Sequence, residues 1–174
     1  MKYTELQVTT NFSFLRGASH AEELVEQAAI YGYDKIAITD RNTFAGIVRA
    51  HAAARKKEIK IIPACCLDLL DGQPLLAYPT DKDAYSGLCQ LLTTGNLRAE
   101  KGECHLYKAD VYAHATGMKF IVVPPESLNA VFNFDNSFEI VLTARYGSIT
   151  SAYKAISPLP ISPSSQRPLP VQPR

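Results

Sequence analysis

Nowhere in the 174 residues do two cysteines stand in a CxxC spacing. Cys65, Cys66, Cys89 and Cys104 are the whole supply, and the adjacent pair would point to opposite faces of a strand. This argues against a zinc site and a disulfide framework, and the expectation is reduced, mostly buried thiols. No apolar run approaches the roughly 18 residues of a membrane span, and no basic-then-apolar leader opens the chain. The expectation is a cytoplasmic protein with no membrane partner. Charge of one sign is missing too. Eighteen Lys and Arg against 17 Asp and Glu give +1, so no overall basic field draws the chain to nucleic acid. Arg55-Lys56-Lys57 is too short to alter that and reads as a solvated helix end.

What is present is a globular composition, 47% hydrophobic and 20% charged. It is one domain or most of a larger one. Leu6 and Val8 alternate with Glu5, Gln7 and Thr9, the period-two pattern of a half-buried strand. Gly17 frees the turn that follows, and Ser19 and Glu22 have the spacing of a capping box. A helix over Ala21 to Tyr31 ends at Gly32, and Lys35 to Thr39 is a short buried strand with Asp40 at its end. Phe44, Ile47, Val48 and His51 predict the apolar face of a second helix. Residues 59 to 70 read as a strand, with Asp71-Gly72 turning the chain into Leu75 to Tyr78. Pro79 breaks that strand, and Thr80 to Asp83 cap a third helix that Gly95 stops. A short helix over Lys108 to Ala115 and a strand over Lys119 to Val123, stopped by Pro124-Pro125, come next. A strand over Phe138 to Leu142 and a helix over Ser148 to Ile156 complete the pattern. Alternating strands and helices predict an α/β domain of βαβ units. Barrel and open doubly wound sheet fit that pattern equally.

The last eighteen residues differ in style. Six of the eleven prolines, four serines and no acidic residue lie in 157–174. Such a segment lacks the apolar periodicity to order itself. It is either a natural Pro-rich linker or ligand, or the artificial tail of a frameshift near Ile156. The abrupt stop within a β/α pattern favours a truncated product.

The stretch Glu5-Leu6-Gln7-Val8-Thr9-Thr10-Asn11-Phe12-Ser13-Phe14-Leu15-Arg16-Gly17-Ala18-Ser19-His20 resembles the amino-terminal start of bacterial error-prone DNA polymerases. These are the DnaE-like relatives of the polymerase III alpha subunit. The likeness continues through Glu22 to Val25, Gly32-Tyr33, Ala37 to Asp40, Ala45 to His51, Leu88 to Gly95 and Ala99 to Glu103. It weakens towards Tyr146-Gly147. The resemblance implies that 1–156 is a PHP (polymerase and histidinol phosphatase) domain, a distorted β/α barrel cut before its last β/α units. Members that keep the site hold up to three metal ions on histidines and carboxylates at the strand ends. There the metals activate water for phosphoester hydrolysis, and proofreading of a primer end is one use attributed to them.

Carried over position by position, the resemblance implies a degenerate metal site. The first-strand HxH falls on Gln7 and Thr9, poor ligands for a transition metal. Asp40 matches the aspartate after the second strand, but the histidine expected next is Arg41, a fixed cation. The glutamate of the third strand falls near Cys66. The expectation is therefore no zinc, manganese or other cofactor for this chain, and Mg2+ only for the parent polymerase. The chain would act as a scaffold on the remainder of that polymerase, meeting DNA only through the full-length parent. The polymerase carboxylates lie outside it. A free-standing metal-dependent phosphoesterase is the alternative.

Other residues have plainer readings. His20 belongs to a capping segment, His51 is a partly buried helix histidine, and His105 and His114 are surface residues. Asp40 is either a relic of the metal site or a cap for the following helix, and it is placed to pair with Arg41. Tyr3, Phe12 and Phe14, which could stack on bases, are expected to pack beneath the turn, since no Lys or Arg cluster surrounds them.

Overall fold

The computed structural model describes residues 3–123 and 140–142. The capping box forms one residue later than Ser19 and Glu22. The His20 backbone N–H donates to Glu23 Oε2 at 2.9 Å, and α1 runs Ala21–Ile30. Ala21, Val25 and Ala28 are its buried stripe, and Gly32, at φ +72°, turns the chain out of it. β1 (Lys35–Ile38) leads through α2 (Ile47–Lys57) to β2 (Lys60–Pro63), which pairs parallel with β1. This is the expected βαβ unit.

The buried face of α2 differs from expectation. It is Ala50, Ala53 and Ala54, whereas Val48 is 76% exposed and His51 is exposed as well. Small residues let α2 pack closely on α1 and the sheet; Ile47 packs partly buried against the same core as expected, while Val48 and His51 face away. Phe44 precedes the helix and stacks on Tyr85, ring centroids 5.1 Å apart.

The strand expected over 59–70 breaks at Ala64, and β3 (Cys65–Leu67) begins a second pairing. Cys66 still holds the β1 side, its N–H donating to Asp40 O and its carbonyl accepting from Asn42 N–H, both at 2.9 Å. On the other side β3 pairs antiparallel with β4 (Leu75–Pro79). α3 (Lys82–Arg98) starts at Asp81, whose side chain accepts from Ala84 N–H at 2.8 Å. Gly95 does not stop this helix. It is buried, and a Cβ there would stand 2.6 Å from Cys104 Sγ and 2.7 Å from Leu106 Cδ2, so the glycine serves close approach. α4 (Lys108–Ala113) and β5 (Met118–Val122) follow, β5 antiparallel to β4 and parallel to β6 (Ile140–Leu142). Parallel pairing thus holds at both ends of the described strand series, with a complete βαβ unit at β1–α2–β2, and gives way to antiparallel pairing in the middle. The Pro124-Pro125 stop, the start of the last strand at Phe138, the helix over 148–156 and the 157–174 tail lie outside the described residues.

Alternation along the strands sorts their side chains onto two faces. Ala37, Ala64, Cys66, Leu76, Tyr78, Ile121 and Val123 pack together on one side. On the other, Ile36 and Ile38 lie under α1 and α2, and Leu67, Leu75, Ala77, Phe120 and Val122 lie in the cluster that α3 and α4 cover. One face shared by successive strands, with helices on the other, is the arrangement of a β/α barrel wall.

The opening segment is looser than a ladder strand. Its carbonyls at Glu5 and Val8 accept from Ala37 N–H (2.9 Å) and Thr39 N–H (2.8 Å). Three residues therefore stand against two, the count of a bulge. The bulge breaks the expected alternation: Val8 is buried, but Leu6 is 39% exposed. The Tyr78 hydroxyl, rising from β4, donates to the Leu6 carbonyl at 2.6 Å and ties the segment across the barrel.

Candidate functional site

In a β/α wall the strand ends are where polar side chains converge, and here Asp40 is the centre. It is wholly buried, which a carboxylate tolerates only with strong donors around it. Its Oδ1 accepts from Thr10 N–H at 2.8 Å and from Ser13 Oγ at 2.7 Å. Thr10 Oγ1 stands 2.8 Å from Oδ2 and 3.0 Å from Oδ1. Ser13 Oγ in turn accepts from Arg41 N–H at 2.9 Å, and Thr10 Oγ1 from Phe12 N–H at 3.2 Å. Asp40 therefore clamps the turn after the opening segment. It does not cap α2. Instead Gly46, at the start of α2, lies so near that a Cβ would stand 2.4 Å from Asp40 Oδ2. Gly17 has a similar role, since a Cβ there would meet Thr10 O at 2.3 Å. Close approach of backbone, more than turn flexibility, explains both glycines.

Arg41 does not pair with Asp40. Neighbouring residues at a strand end point apart, and the Arg41 guanidinium runs to Asp68, just past β3. Nε donates to Oδ2 at 2.8 Å and a second nitrogen to Oδ1, a two-point fork. Asp68 N–H donates to Asn42 Oδ1 at 2.9 Å. Sequence reasoning missed Asp68. Its signal was alternation, because two residues beyond Cys66 it falls on the same side of the strand as the inward thiol.

Cys66 is 3% exposed and faces the barrel interior. Burial pushes its thiol up to about 11, against the pull of the Arg41 cation and with a further push from Asp68. It is a neutral thiol near pH 7. Burial also raises Cys65, on the opposite face, whose Sγ reaches Asp40 O at 3.3 Å. Gln7 is exposed and Thr9 half-buried. Of the histidines, His20 is the N-cap of α1, and His51 is exposed where partial burial was expected. His105 lies at the surface, its side chain 36% exposed, whereas His114 is half-buried, against its expected surface placement. His105 meets Glu103 at 3.1 Å, and His114 Nδ1 lies 2.8 Å from Asp110 O. The three aromatics expected beneath the turn are not buried there: Phe14 is 84% exposed, Tyr3 51% and Phe12 40%. Phe12, Phe14, Arg41 and Asp68 border one cleft of about 620 Å³ at the strand ends.

A metal cluster does not fit these residues. Asp40 already receives donors on both oxygens, Cys66 holds its proton, and Gln7 and Thr9 bring no charge. The Arg41 cation stands beside them. Among the described residues no three His, Cys, Asp or Glu side chains gather in a way that would hold an ion.

The PHP domain family matches residues 5–145. The chain belongs to that family. Over 148 residues this PHP domain is 52% identical to an error-prone DNA polymerase of Caulobacter vibrioides, covering 84% of the chain and 13% of the polymerase. Over 124 residues it is 52% identical to error-prone DNA polymerase 2 of Agrobacterium fabrum, covering 71% of the chain and 11% of that relative. The chain thus spans a small fraction of the polymerases it matches. Its fold is shared with a candidate metal-dependent phosphoesterase of Bifidobacterium adolescentis, with a TM-score of 0.61 at 14% identity. That match covers 81% of this chain and 76% of the other. An amidohydrolase of Chromobacterium violaceum matches with a TM-score of 0.51 at 14% identity, over 70% and 66% of the two chains. At such identity the likeness concerns the fold alone. The strand ends of this PHP domain therefore have to be read from their own residues. No helix among the described residues is long and apolar enough to cross a membrane.

Proposed function

We propose that this chain is the PHP domain of an error-prone DNA polymerase, a scaffold whose strand-end site has become a structural clamp. The observation that carries the reading is Asp40. The one residue matching a metal ligand of the family has its carboxylate taken up by Thr10 and Ser13. Its neighbour Arg41 supplies a permanent cation held by Asp68, and such a pair orders the strand ends without an ion. In this reading the domain carries no zinc or manganese. The parent enzyme, a cytoplasmic bacterial polymerase acting in DNA repair and translesion synthesis, extends primers past damaged template bases with Mg2+ bound elsewhere in its chain. The domain meets DNA only as part of that chain, and its partner is the rest of the polymerase.

Metal analysis of the purified 174-residue chain tests this. After exposure to zinc and manganese and removal of free ion, the chain should retain far less than one ion per molecule. It should also hydrolyse a simple phosphate ester no faster than buffer. Stoichiometric metal accompanied by turnover would overturn the scaffold reading in favour of a free-standing phosphoesterase.

A further inference from the structure

The Asp40 clamp holds something besides itself. Ser13 N–H donates to Thr10 O at 3.0 Å, and Arg16 and Gly17 N–H donate to Ser13 O at 2.9 and 3.1 Å. Within this small hydrogen-bonded turn Leu15 adopts φ +58°, a left-handed conformation costing a non-glycine residue about 1 kcal/mol or more. The two side chains at the tip are apolar and in solvent, Phe14 at 84% and Leu15 at 86% exposure. Phe12 lies beside them under the Arg49 guanidinium, 5.8 Å from its ring centre. Leu97, 83% exposed, follows Asn96, which borders the same cleft as Phe14. A buried carboxylate, three donors and two close-approach glycines thus fix a turn whose apolar tip is not packed into any core cluster of the described residues. Apolar side chains presented on a rigid frame are the anchors of protein interfaces, because little ordering entropy remains to be lost on binding.

We propose that Phe14 and Leu15, with Phe12 beside them, form the knob by which this PHP domain docks on the body of its polymerase. The occupant would be an apolar socket with an acidic edge. The inference rests on the polymerase reading above, since the matched relatives carry most of their length beyond the region this chain covers. The acidic edge is called for by Arg16, which forms no ion pair with the described residues and sits next to Leu15. Charge also argues for protein over nucleic acid as occupant. The cleft beside Phe14 carries Arg16, Arg41 and Lys101 against Asp68, Glu100 and Glu103, a balance without the basic excess that binding a phosphate backbone requires.

The test is a full-length hybrid in which this PHP domain replaces the matching stretch of the Caulobacter polymerase, compared with the 174-residue chain alone. Amide exchange at residues 12–16 should slow by about tenfold or more in the hybrid. Phe14→Ser with Leu15→Asn should abolish that slowing and leave the thermal midpoint of the isolated chain unchanged, because asparagine accepts a positive φ. If other parts of the domain gain protection while 12–16 do not, the domain docks by a different face. That result overturns the knob and leaves the scaffold reading standing. If no part gains protection, the scaffold reading falls and takes the knob with it. Protection of 12–16 that appears only when primer–template DNA is added would make DNA the occupant, and this too overturns the inference.

Discussion

Asp40 has no exposed surface and accepts from Thr10 N–H, Thr10 Oγ1 and Ser13 Oγ. In Asp40→Asn one carboxylate oxygen becomes an N–H2 group facing a donor. One bond is lost, a buried donor is left without an acceptor, and the remaining bonds lose their charge assistance. The substitution should destabilise the chain by about 3 kcal/mol, measured as a fall in the urea midpoint at constant slope. A loss under about 0.5 kcal/mol would show that the carboxylate is not the centre of the clamp. Much of this residue's setting was legible in advance. Its place at a strand end followed from the apolar run before it, and the residues aligned with former ligands could be named. Its partners could not, because Ser13 and Thr10 lie 27 and 30 residues away and nothing in local periodicity joins them. Arg41 misled for the same reason. Its partner is distant Asp68, while the adjacent Asp40 looked sufficient.

The short helix α4 depends on Asp110 at its start. Asp110 accepts from Tyr107 N–H at 3.0 Å and holds the Arg98 guanidinium at 2.6 and 2.9 Å. The Arg98 hydrogen bonds, with help from the Tyr107 N–H, draw its carboxyl below the usual carboxylate range, and burial opposes them. A depressed folded value means that this stabilisation is fully present above the unfolded carboxylate value of about 3.9 and is lost as pH falls through the depressed one. Asp110→Asn should therefore lower the urea midpoint at neutral pH and make its decline below about pH 4 shallower. Equal acid slopes in the two proteins would refute the assignment. Across the elements, the sequence was most readable where one signal dominated, as at Asp81 capping α3 or in the parallel pairing of β1 and β2. It misled where two signals shared a residue type. Gly95 resembles a helix terminator, yet its distances to Cys104 and Leu106 make it a packing residue. Phe44 and Val48 fit a helical stripe, but the alanines of α2 are what the sheet and α1 admit.

For the molecule as a whole, the connection that matters most is the bond from the Tyr78 hydroxyl to the Leu6 carbonyl. Tyr78→Phe removes the donor without changing the ring, a loss of about 1 kcal/mol. If the opening segment docks after the folding transition state, the folding rate should hold and unfolding should quicken by about fivefold. Stopped-flow mixing in urea measures both limbs. A slower folding limb with an unchanged unfolding limb would mean that the segment docks early. The order of synthesis bears on the same bond. Ser13 leaves the ribosome 27 residues ahead of Asp40, and Leu6 leaves 72 residues ahead of Tyr78. This stretch, made ahead of its partners, is thus secured only after Asp40 and Tyr78 have emerged. Until then the open side of β1 is an unprotected sheet edge, and the nascent chain passes through a period in which a chaperone or a neighbouring nascent chain can reach it first.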